Sequence, residues 1–209
     1  MAKRKGGFLD SLGDLIEKGI EELSREAYDE PAGGTPEPVK RRVSLIIHNP
    51  RVPSAGNEHL DKVLRWNDTG RLIEGYISDL RECSGGYLNY EIVETITVDK
   101  FPRKADGFTY TADGFVKAWN ERKGFHDPDL VDYDALLEEF EMIRKVNENI
   151  IDEFWLFAFP YAGYYESIMG GPGAFWCNAP PLTQTAHAKK RFIIMGFNYQ
   201  RGVGEMLEA

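Results

Sequence analysis

Ile151-Asp-Glu-Phe-Trp-Leu-Phe-Ala-Phe-Pro160 decides the fold. Every residue from Phe154 to Phe159 is apolar, so the segment reads as a strand buried on both faces. It opens into Tyr161-Ala-Gly-Tyr-Tyr-Glu-Ser167 and then the glycine-rich Gly170-Gly-Pro-Gly-Ala-Phe-Trp-Cys-Asn178. A second buried strand, Arg191-Phe-Ile-Ile-Met-Gly196, runs through Phe197-Asn-Tyr-Gln-Arg201 into Gly202-Val-Gly-Glu205. Strand, polar loop, strand, glycine turn and helix start is how α/β proteins build ligand crevices at the carboxyl ends of their strands.

Working outward, Val43-Ser-Leu-Ile-Ile47 is a third apolar run suited to a central strand, followed by the proline-fixed loop His48-Asn-Pro-Arg-Val-Pro-Ser-Ala-Gly-Asn57. Helices are expected near Glu58 to Trp66 and Thr69 to Cys83, the second stopped by Ser84-Gly-Gly86. Tyr90 to Val98 alternates, which predicts a strand with Ile92, Glu94, Ile96 and Val98 on one face and Val93, Thr95 and Thr97 on the other. Further helices are expected near Phe115 to Glu121 and over Tyr133 to Asn147, where Asp132 can cap and Leu136, Leu137, Phe140, Ile143 and Val146 form a core stripe. Strands separated by helices imply parallel pairing. The expected fold is therefore α/β: three layers, with a mostly parallel sheet flanked by helices.

Phe8 to Tyr28 carries Leu9, Leu12, Ile16, Ile20 and Leu23 at helical spacing with charged residues opposite. The prolines and glycines of Pro31 to Pro38 then forbid regular structure. The domains read as an amphipathic docking or oligomerisation helix over 1–30, a linker over 31–41 and an α/β domain over 42–209. Residues 8–28 predict a protein partner or self-association; the competing reading is an arm packed on its own domain. No membrane partner is expected, and for this helix Glu17, Glu21, Glu22 and Glu26 would face anionic headgroups.

The bulk numbers exclude several classes. A formal charge of −9 argues against a nucleic-acid surface. Two cysteines, Cys83 and Cys177, are too few for a disulfide framework, and no run approaches a membrane span. A cytoplasmic location is expected. The four histidines, at 48, 59, 126 and 187, lack metal-ligand spacing, and the aspartates at 127, 129, 132 and 134 read as solvated loop and cap residues. No metal or cofactor is expected.

If the strands near residues 43, 152 and 192 are parallel neighbours, their loops share one rim. Glu166 is the leading carboxylate, because aromatic surroundings would raise its pKa and suit it to acid–base work; a surface role or a pair with Arg201 is the alternative. Cys177 is the candidate nucleophile, with His48 its preferred partner and His187 the second; an inert buried thiol is the competing reading. Asn49, Tyr161, Tyr164, Tyr165, Trp176, Asn178, Asn198 and Arg201 are candidate ligand contacts, with aromatic rings to stack on a sugar and polar groups to orient it. Gly202-x-Gly204 is only part of a dinucleotide fingerprint, and Glu205 would oppose a phosphate.

The blocks from Ile47-His-Asn-Pro to Asn57, Asp152-Glu-Phe-Trp-Leu-Phe157, Tyr164-Tyr-Glu-Ser167, Gly173-Ala-Phe-Trp-Cys-Asn178 and Met195-Gly-Phe-Asn-Tyr199 through Leu207 resemble those of a microbial α/β domain family with no established activity. The resemblance covers Val43 to the C-terminus and carries over no functional residue. It implies a domain continuing past Leu207, against which the end at Ala209 reads as a C-terminal truncation. The expectation is an enzyme-like domain, a hydrolase of a small or glycan-like polar substrate. The rival is a non-catalytic binding or assembly protein docked through its N-terminal helix.

Overall fold

The computed structural model describes residues 36–208. The helix expected over 8–28, and the linker up to residue 35, lie outside the described residues.

Strand β1 (Val39–His48) leads into a small hairpin of β2 (Arg51–Val52) and β3 (Glu58–His59), then α1 (Leu60–Val63) and α2 (Thr69–Cys83). Next come β4 (Leu88–Val98), α3 (Ala112–Glu121), α4 (Tyr133–Glu139), α5 (Met142–Asn147), β5 (Glu153–Ala158), β6 (Ser167–Gly170), β7 (Phe192–Asn198) and α6 (Val203–Met206). The main sheet runs β4-β1-β5-β7-β6. Every pairing is parallel except β6 with β7, so the sheet is mixed but mostly parallel.

The apolar run of β5 is explained by burial on both sides. Trp155 and Phe157 join Val43, Leu45, Met195 and Phe197 against Leu72, Ile73 and Tyr76 of α2 and Phe115 of α3. Phe154 and Leu156 join Ile46, Phe192 and Ile194 against Leu136, Leu137 and Phe140 around α4 and Met142 and Val146 of α5. Each such side chain is worth roughly 1.5–3 kcal/mol when fully buried, so β5 is the structural centre. Asp68 caps α2, accepting from Arg71 N at 3.1 Å, and Asp132 caps α4, accepting from Ala135 N at 2.9 Å.

Three local expectations are corrected. The helix read over Glu58 to Trp66 starts only at Leu60, because Glu58 and His59 pair with β2. The helix read over Tyr133 to Asn147 breaks at Glu141 (φ 51°), which buries Met142 alongside Phe140. In β4 the register shifts opposite Val43/Ser44, leaving Val93 as the extra, bulged residue. Tyr90 and Ile92 therefore pack with the α2 side while Ile96 and Val98 pack with the α5 side. Period-two alternation cannot reveal a bulge, since the inserted residue preserves the spacing while exchanging the faces.

Candidate functional site

The chain steps outward from β1 to β4 and then back across β1 to β5. Where such crossovers diverge, the carboxyl ends of the two central strands part, and α/β sheets commonly bind ligands there. Here that crevice is filled. Tyr164 brings its hydroxyl to 2.8 Å from His48 Nδ1, Tyr199 OH donates to the His48 carbonyl at 2.9 Å, and Phe140 meets the imidazole edge-on at 5.9 Å. Burial, with a smaller push from Lys100, lowers the His48 pKa to about 4. Burial also holds the Tyr164 and Tyr199 hydroxyls well above their ordinary pKa. His48 Nε2 has no hydrogen-bond partner. A neutral imidazole sealed under two tyrosines binds strand ends together; it is not presented to a substrate.

The open space lies one strand over, at the carboxyl ends of β5 and β7. A cleft of about 170 Å³ is walled by the loop Phe159–Tyr164, the stretch Gly196–Asn198, then Glu166, Arg201 and Glu205, with Asp129 arriving from a distant loop. Asn198 Oδ1 accepts from the backbone N–H of Gln200 and Arg201, at 3.0 and 3.2 Å, which turns the chain back on itself. Arg201 thereby comes within 3.7 Å of Glu166, whose other oxygen accepts from Asn178 Nδ2 at 3.0 Å. Glu166 itself is exposed and does not sit in an aromatic pocket. Tyr161 stacks one face on Phe125 (3.8 Å, 15°) and stays 41% exposed.

Behind this wall is a group that the sequence pattern did not single out. Lys104 is 1% exposed; its ammonium pairs with Asp129 and donates to the Tyr161 carbonyl at 2.6 Å. Burial lowers its pKa, while the hydrogen bond and charge of Asp129 pull the other way. Gly163 (φ +86°) makes the approach feasible, since a Cβ there would sit 2.8 Å from Nζ and 2.7 Å from Val131 N. Asp129 is thus fixed at the cleft rather than merely solvated. No spacing announces Lys104; its role is visible only once the loop after β4 folds against the loop after β5.

Other candidates fall elsewhere. Cys177 and Cys83 are free thiols. Cys177 is half-buried, its backbone pairs with Ala179, and among the described residues its thiol bonds to no histidine. His48 is engaged by Tyr164, and His187 Nδ1 meets the Gln184 carbonyl at 3.0 Å. Trp176 is 66% exposed, outside the cleft. Tyr165 donates its N–H to Tyr133 OH at 2.9 Å and stacks parallel to that ring. Asn49 serves its own turn: its carbonyl meets His59 Nδ1 at 2.7 Å and its side-chain oxygen accepts from Asp61 N at 3.3 Å. Gly202-x-Gly204 opens only the single turn of α6, and Glu205 takes the Gly202 N–H at 3.0 Å.

Among the described residues no cluster of three His, Cys, Asp or Glu side chains could hold a metal ion. No protein-family model, curated protein or solved structure matches the chain.

Proposed function

We propose that the domain binds a small, hydroxyl-rich ligand of glycan-like chemistry in the cleft between the β5 and β7 ends and hydrolyses it. The observation that carries this reading is the convergence of Asp129, Glu166 and Glu205 with Arg201 and the half-open ring of Tyr161 around one small cleft. Carboxylates only accept hydrogen bonds when ionised, and a guanidinium only donates, so the set suits hydroxyl groups, which do both. An aromatic face adds a platform for the apolar side of a sugar. The surplus of carboxylates disfavours a phosphate or other anion. Glu166, an exposed carboxylate at the cleft, is assigned to take the proton of an attacking water; that proton leaves with the released alcohol. A thiolate route through Cys177 finds no support, because among the described residues no hydrogen bond links its thiol to a base.

The test screens mono- and oligosaccharides by ligand-observed NMR, followed by product release. Arg201→Ala should abolish binding, whereas Glu166→Gln should keep binding and lose turnover. Turnover unchanged in Glu166→Gln, or protection mapping away from Tyr161 and Arg201, would overturn the reading.

A further inference from the structure

At the opposite end of the sheet, the amino ends of β4, β1, β5 and β7 lie side by side. Tyr87 immediately precedes β4, Lys40, Arg41 and Arg42 open β1, Ile150 precedes β5, and Lys189, Lys190 and Arg191 precede β7. Tyr87 is 42% exposed and Ile150 44%. The Arg191 guanidinium lies over the Phe175 ring at 5.6 Å, and Phe175 and its neighbour Trp176 are 54% and 66% exposed. Apolar and cationic side chains therefore alternate along a ridge about 15 Å wide, taking roughly 4.8 Å per strand spacing. Three of the six cations are partly neutralised, Lys40 by Glu91 and Arg42 and Lys190 by Asp152. Arg41, Lys189 and Arg191 form no ion pair among the described residues.

We propose that this ridge docks the domain peripherally on an anionic lipid surface. Aromatic side chains interleaved with lysine and arginine suit the headgroup region, where rings settle at the interface and each cation gains about 1 kcal/mol near an anionic leaflet. The chain's net charge of −9 does not oppose this at short range. Of the cleft carboxylates, Glu166 lies opposite Gly196, five residues along β7 from Arg191 and so roughly 16 Å from that cation, about twice the screening length of about 8 Å in physiological salt. Attachment is peripheral, since no helix among the described residues is long and apolar enough to cross a membrane. The case against a lipid partner for residues 8–28 rests on their acidic face, whereas this ridge belongs to the folded domain. A nucleic acid is the less suitable polyanion, because four of the ten ridge side chains are hydrocarbon or ring with no charge to offer phosphates.

The experiment uses the full chain with phosphatidylcholine vesicles, with and without about a third phosphatidylserine. Co-sedimentation only with the anionic vesicles is expected, weakening as salt rises, with a blue shift of Trp176 emission that Trp176→Phe removes. Arg41→Glu with Arg191→Glu should weaken partitioning about thirtyfold or more, from about 1 kcal/mol per lost cation. Both side chains are exposed, and an unchanged melting temperature confirms that the variants fold. Absence of vesicle binding, or binding unaffected by the double variant, overturns the proposal. Equal affinity for single-stranded DNA or polyglutamate without the Trp176 shift also overturns it, showing a general polyanion surface.

Discussion

The Tyr164 phenolic oxygen lies 2.8 Å from His48 Nδ1, tying the last residue of β1 to the loop after β5. Since Nε2 is buried without a partner, the tautomer that leaves a bare lone pair there, rather than an orphaned N–H, is the less costly one. Nδ1–H then donates to Tyr164. This bond plugs the crevice at which such a sheet would ordinarily bind a ligand, and the open cleft lies one strand further along.

His48 should give the protein a pH-dependent stability. Its pKa falls from 6.5 to about 4 on folding. Between these values the unfolded chain binds the extra proton, so stability is complete above about pH 6.5 and declines as pH falls toward 4. The shift corresponds to about 3 kcal/mol. Urea unfolding at pH 7, 6 and 5 should show this loss, and His48→Leu should flatten the slope. A His48 imidazole titrating near 6.5 by NMR would contradict the buried assignment.

Much of the sheet could be read from the chain. The apolar runs at Val43, Phe154 and Phe192 point to burial on both faces, and the helix over Thr69–Cys83 is framed by Asp68 and Ser84-Gly-Gly86. β6 was not legible, because Ser167–Gly170 is too short and too glycine-adjacent to separate from its loops. The break at Glu141 was hidden by a helical stripe that continues through it. At the site, Asn198 and Arg201 were legible because they end and follow β7, and Glu166 because it lies in the polar loop after β5. Asp129 and Lys104 were not, because their meeting depends on loops far apart in sequence.

Asp152 receives hydrogen bonds from Arg42 and Lys190. Burial acts to raise its pKa, but those bonds outweigh it and hold the carboxyl well below the usual range. Its stabilisation is therefore present above about pH 4 and lost as pH falls further. Asp152→Asn should cost about 2 kcal/mol at pH 7, less than a fully buried pair because Arg42 is partly solvated. The difference from wild type should shrink at pH 3, measured by chemical denaturation.

Gly196 and Gly204 should respond oppositely to alanine. A Cβ at 196 would run into the Tyr165 carbonyl and lie 2.7 Å from Tyr164 Cβ, whereas one at 204 meets nothing within 4 Å. Gly196→Ala should destabilise by about 2–4 kcal/mol through overpacking. Gly204→Ala should be neutral or stabilising by up to about 1 kcal/mol. Melting temperatures decide both.

Accessibility alone orders the two thiols. Cys83 is exposed and Cys177 half-buried, so iodoacetamide should modify Cys83 first. Faster modification of Cys177 at neutral pH would restore it as a candidate nucleophile.

Lys104 and Asp129 should behave as one unit. Lys104→Met leaves the Tyr161 carbonyl and the Asp129 carboxylate without their cation, a loss of about 1–2 kcal/mol because water reaches the partly exposed Asp129. Asp129→Asn leaves the buried ammonium without its counter-charge, so it should cost more, roughly 3 kcal/mol. In the double variant Lys104→Met/Asp129→Asn neither charge remains, and the combined cost should fall well short of the sum of the two single effects. Because Asp129 and Tyr161 both line the cleft, Lys104→Met should also weaken saccharide binding, while Asp129→Asn weakens it with the loop still tied. Additive stability effects in the cycle would show that the two side chains are not coupled and that Lys104 does not hold the cleft wall.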